Sequence, residues 1–74
     1  MCLGLVMKVI NVGKDYAICD YFGNKTKVRI DFISNVKVND YLLIHAGFAI
    51  SKLTKNEGEE RIKLFKELEG YENE

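Results

Sequence analysis

With 74 residues the chain has room for one domain with a thin core. A hydrophobic share of 47% beside 30% charged residues excludes wholesale disorder, and a formal net charge of zero argues against a dedicated nucleic-acid binder. The zero conceals two unlike parts: residues 1–54 hold seven Lys or Arg against four Asp, and residues 55–74 hold four against seven Glu.

The apolar segment Leu3–Met7 is too short for a secretory signal core and is ended by Lys8. No apolar run approaches the ~20 residues that span a bilayer. Two cysteines, Cys2 and Cys19, are fewer than a disulfide scaffold of this size carries. These features predict a reduced, cytoplasmic protein with no membrane association, in which an exposed thiol stays available for chemistry.

Proline is absent, so Gly, Asn and Asp must make the turns. A first strand is predicted over Leu5–Val12, ended by Gly13-Lys14-Asp15. Tyr16–Phe22 reads as a second strand, and Gly23-Asn24 as a tight hairpin of residues that tolerate positive φ. Lys25–Phe32 alternates most clearly, which predicts Thr26, Val28, Ile30 and Phe32 facing the core and Lys25, Lys27, Arg29 and Asp31 facing water. Ile33–Val38 is ambiguous. Tyr41–Ala46 and Phe48–Leu53 read as two more strands, broken at Gly47.

After Leu53 the period changes. Thr54 followed by Glu57 is a capping-box signature, and Ile62, Phe65, Leu68 and Tyr71 recur at helical spacing. The fold class is therefore mainly β: a small five-stranded OB-like β-barrel over residues 1–54, a C-terminal α-helix over 55–69 of the same domain, and a frayed tail over 70–74. Gly58 weakens the first helical turn by roughly 1 kcal/mol relative to Ala. Gly70 supplies a stop.

Three features carry possible chemistry. Cys2 follows the initiator Met; once Met1 is removed it presents a thiol and an α-amine on one carbon, both competent metal ligands. The plain alternative is a thiol packed under the barrel. His45, the only histidine, is either a half-buried strand residue satisfied by a backbone carbonyl or a ligand or proton carrier. Lys25, Lys27 and Arg29 form a basic strand face, which is a solvated surface or, less in keeping with the acidic tail, a single-strand nucleic-acid groove. Cys19 reads as core. The helix stripe either seals the barrel or serves as an adaptor surface. No nucleotide-binding glycine motif, Cys-x-x-Cys pair or paired catalytic carboxylates point to an enzyme.

The opening Met1-Cys2-Leu3-Gly4-Leu5-Val6-Met7-Lys8-Val9 resembles the N-terminal signature of the HypC/HupF family of nickel–iron hydrogenase maturation chaperones: Met-Cys, small or aliphatic residues, Pro, a small residue, then Lys-Val. The stretch Asn39–Leu53, with His45-Ala46-Gly47-Phe48-Ala49 at its centre, resembles the family's second block. Val6 departs from the pattern where the family carries proline, and Met7 where it carries glycine or alanine. Proline would stiffen that segment and remove a backbone donor; with Val6 the segment is either more mobile or paired further into the sheet. The resemblance implies a non-enzymatic chaperone. Such a protein helps assemble an Fe(CN)2CO group with a HypD-type iron–sulfur partner and deliver it to the hydrogenase large-subunit precursor, holding no permanent cofactor. It further implies Cys2 as a transient iron ligand and His45 as a ligand or pocket residue. Cys2, Leu3, Gly4, Lys8, His45, Gly47 and Phe48 become the partner-binding candidates, and no nucleic acid is expected as partner.

Overall fold

The computed structural model describes residues 4–69. Cys2, Leu3, Gly70 and Tyr71, with the rest of the expected tail, lie outside the described residues.

Five strands appear: β1 (Leu5–Val12), β2 (Tyr16–Tyr21), β3 (Asn24–Arg29), β4 (Tyr41–His45) and β5 (Phe48–Leu53). Helix α1 (Lys55–Glu69) follows. The strands close into a barrel in the order β1-β2-β3-β5-β4, an OB-like arrangement. Every neighbouring pair is antiparallel except β3 and β5, which run parallel and meet at a single pair, Arg29 with Phe48.

Inward residues alternate along each strand as the pleat requires. Met7, Val9, Ala17, Cys19, Val28, Leu42, Ile44 and Ala49 form the core cluster. Two bulges adjust this alternation. Ile10 is the extra residue where β1 passes β2, and Ile50 is the extra residue where β5 passes β4. Each turns outward and is exposed, the expected fate of a residue left out of the ladder.

The β2–β3 and β4–β5 hairpins share one device. Phe22-Gly23 and Ala46-Gly47 both take positive φ, at 51° and 90° and at 54° and 84°. That is the two-residue turn whose twist matches the flanking strands. The first turn thus falls one residue earlier than the expected Gly23-Asn24, and β2 ends at Tyr21. Two contacts hold Phe22 in a conformation that bulky residues avoid. Its ring packs on Tyr21 with centroids 4.5 Å apart, and Asp20 Oδ1 accepts the Gly23 N–H at 3.1 Å.

β3 stops at Arg29, short of the expected Phe32. Phe32 is not core; it is 68% exposed, because the chain has left the sheet and turned outward. Thr26 is also exposed although it lies on the inward face. The ambiguous segment is a connection, not a strand. It folds back with Ile33 and Val36 packed against the core, and Lys52 Nζ ties it down through Asn35 O at 2.9 Å and Asp40 at 3.5 Å.

Helix α1 starts with the expected reciprocal cap: Thr54 N–H donates to Glu57 Oε1 and Glu57 N–H to Thr54 Oγ1, both at 3.1 Å. Gly58 is buried, and a Cβ there would overlap the Tyr41 ring. The missing side chain is what lets the helix approach the barrel, which offsets its poor propensity. Val6, fully buried, lies with Tyr41 beneath this helix and outside the barrel core. The apolar stripe is only partly covered. Ile62 and Phe65 are half-buried, but Leu68 is 73% exposed.

Candidate functional site

Antiparallel pairing of β1 with β4 sets Leu5 opposite Ile44 and Val6 opposite Leu43. Val6 therefore pairs into the sheet at the place where the resembling family carries proline. One residue earlier, Gly4 presses against Ile44: a Cβ at Gly4 would overlap the Ile44 carbonyl oxygen and crowd Leu43 Cδ1 at 3.2 Å. The described chain thus begins tight against the end of β4, next to His45.

His45 closes β4 and pairs with Phe48 across the Ala46-Gly47 turn. Its imidazole is exposed, rather than half-buried against a backbone carbonyl, and makes no hydrogen bond to a described residue. Both ring nitrogens are open to solvent or to a partner. The turn itself is anchored from the neighbouring strand, because Arg29 N–H donates to Gly47 O at 3.0 Å. Phe48, 37% exposed, packs on Phe32 with ring centroids 5.4 Å apart.

Gly4, His45, Gly47 and Phe48 are thus brought to one end of the barrel. Lys8 is not with them. It pairs with Tyr41, four residues on from Gly4, or about 13 Å away. Its Nζ lies 5.9 Å from the Tyr41 ring centroid. There it lines a cleft of about 230 Å³ between α1 and the β2–β3 hairpin, with Val6, Tyr21, Tyr41 and Ile62.

Two further residues at this end, Phe32 and Arg29, are not expected from the sequence to join Cys2 and His45. Parity alone predicts Phe32 in the core, where it is not found. Arg29 is expected from the sequence only as a solvent-facing cation, yet its backbone fixes the turn after His45. Its guanidinium grips Asp31 through Nε at 2.8 Å and a second nitrogen at 2.7 Å. That pairing holds the Asp31 carboxyl below the usual carboxylate range. The signal for Arg29 is the opposite charge of Asp31 two residues on, close enough in the chain for the two side chains to meet just past the strand end.

Cys19 is a free thiol with no exposed surface, and burial pushes its pKa up to about 11. It is protonated and inert at neutral pH. Among the described residues no three His, Cys, Asp or Glu side chains gather as a metal site. No described helix is long and apolar enough to cross a membrane.

Comparison with known proteins bears on this end of the barrel. The model of the HupF/HypC family matches residues 1–65, which contain both the Cys2 segment and the His45 turn. A hydrogenase maturation factor HypC of Cupriavidus necator is 30% identical over 70 residues, covering 93% of this chain and 78% of that protein. The HypC of Helicobacter hepaticus is 26% identical over 70 residues, covering 92% and 81%. That of Azotobacter chroococcum is 28% identical over 69 residues, covering 92% and 82%. The chain is a member of the HupF/HypC family.

Proposed function

We propose that this protein is a hydrogenase maturation factor that acts as a chaperone for an iron group, with Cys2 as the ligand it lends. One observation carries the reading: the family match spans both the Cys2 segment and the His45 turn. The fold supports it by seating Gly4 against Ile44, beside His45. Two peptide units, about 8 Å at most, separate the Cα atoms of Cys2 and Gly4. A thiol on so short a tether works near an exposed imidazole.

The cargo is an Fe(CN)2CO group, assembled with a HypD-type iron–sulfur partner and passed to the large-subunit precursor of a nickel–iron hydrogenase. Cyanide and carbonyl already fill several positions on such an iron, so few protein ligands are needed. Thiolate suits iron, and an α-amino group beside it favours the ionised form. One thiolate from this chain, with the remainder from the partner, gives a shared site that either protein can release. His45 takes the part of a further ligand or a proton carrier at the edge of that site. Leu3, Gly4, Gly47 and Phe48 contact the partner around it, and Lys8 meets the partner further round the barrel wall. The protein carries cargo rather than turning over a substrate, and the reducing cytoplasm keeps Cys2 as a thiol.

The test is co-expression of the tagged chain with a HypD-type partner, followed by infrared spectroscopy of the isolated complex. Cyanide and carbonyl stretching bands are expected with the wild-type chain and absent with Cys2→Ala. Undiminished bands in the Cys2→Ala complex would remove Cys2 from the site.

A further inference from the structure

Strand β3 has a strand neighbour on both sides only at its last residue. β5 begins where β3 ends, so Asn24–Val28 extend beyond the start of β5 with β2 alone beside them. The backbone directions there follow from the register. Tyr21 and Asn24 flank a two-residue turn and exchange hydrogen bonds, and the pairing then alternates. Asn24, Thr26 and Val28 therefore turn their N–H and C=O toward β2, while Lys25, Lys27 and Arg29 turn theirs away. Arg29 bears this out, since its N–H reaches Gly47 O on the far side. Lys25 and Lys27 have no backbone partner on that side among the described residues.

Burial gives an independent sign of the same gap. Thr26 and Cys19 are directly paired on the inward face. Cys19 has no exposed surface, yet Thr26 is exposed. An inward residue is left in water because the wall that would cover it is missing.

The side chains along this edge say what fits. Lys25 and Lys27 both project from the outer face and are exposed, and neither makes an ion pair with a described residue. Asp20 stands opposite Lys25 on β2, but its Oδ1 is occupied by the Gly23 N–H. Lys27 Nζ sits 4.1 Å from the Tyr16 ring centroid, which holds it on the outer face. Arg29 is neutralised by Asp31. The turn leading into the edge is open: nothing lies within 4 Å of a Cβ built on Gly23.

We propose that the edge of β3 at Lys25–Lys27 is a strand-addition site for an extended, acidic segment of a partner protein. The incoming strand places Asp or Glu opposite Lys25 and Lys27 and a small or β-branched residue opposite Thr26, giving the pattern acidic–apolar–acidic. Pairing with β3 of a second copy would set Lys against Lys, so the same lysines bar self-association. The site does not depend on the iron-handling reading.

A short fluorescein-labelled peptide alternating Glu with Val and Thr tests this by anisotropy, with amide exchange followed by NMR on the full chain. Binding is expected to weaken with salt and to slow exchange at the Lys25 and Lys27 amides. The exposed double variant Lys25→Glu/Lys27→Glu is expected to bind roughly tenfold more weakly. A peptide N-methylated on the edge facing β3 is expected to lose binding. The proposal is overturned if the peptide does not bind, if N-methylation has no effect, or if the two amides exchange as before. It is also overturned if single-stranded DNA occupies these lysines more tightly than the peptide.

Discussion

The barrel has two contrasting sides. Over β1 and β4, helix α1 covers the wall so closely that Gly58 has no room for a side chain and Val6 loses all exposure. Over the first half of β3 there is neither helix nor strand, and even inward-facing Thr26 is wet. Sequence polarity mirrors the difference: Val6 and Tyr41 lie under the helix, whereas Lys25 and Lys27 line the open edge. In a chain this short, one side supplies stability and the other is free for recognition.

Substitutions can break or sharpen this contrast. Gly58→Val drives a branched side chain into the Tyr41 ring. It is expected to cost about 3 kcal/mol in denaturant unfolding, the upper range for overpacking. Cys19 marks the boundary between the two sides, and its effect depends on pH. Its thiol ionises near pH 9 when unfolded and near pH 11 when folded. The unfolded state therefore releases its proton first as pH rises. The thiol's contribution is complete below pH 9 and lost between pH 9 and 11, a decline of roughly 2 kcal/mol. Cys19→Ala should flatten that part of the stability–pH curve relative to wild type.

Thr54→Ala removes one half of the reciprocal cap and is expected to cost about 1 kcal/mol, read as a lower urea midpoint. On the open side, Lys25→Glu/Lys27→Glu should change stability by no more than about 0.5 kcal/mol. A much larger loss would mean that the β3 edge contributes to the fold as much as the helix-covered face does.

Much of this architecture is legible in the sequence. The bounds of β1, β5 and α1 follow from apolar content, flanking turns and the capping pair Thr54/Glu57. The errors cluster on β3. Its alternation is real, but alternation reports which face a residue occupies and not whether that face is covered. Coverage depends on the stagger between β3 and β5, a long-range quantity with no local signal. Alternation therefore predicts Thr26 and Phe32 in the core, and both are exposed. Gly58 shows the reverse case: as a helix residue it looks like a defect, and only its contact with Tyr41 explains it. The candidate site was legible as two motifs. Their proximity was not, because it arises from the β1–β4 register that sets Gly4 beside Ile44.

The most direct measurement is hydrogenase activity in a strain lacking this protein, complemented with wild-type chain or with Cys2→Ala at matched expression. The account predicts that activity is lost in the deletion strain, restored by wild type, and not restored by Cys2→Ala. Full activity in the deletion strain, or full rescue by Cys2→Ala, would contradict it.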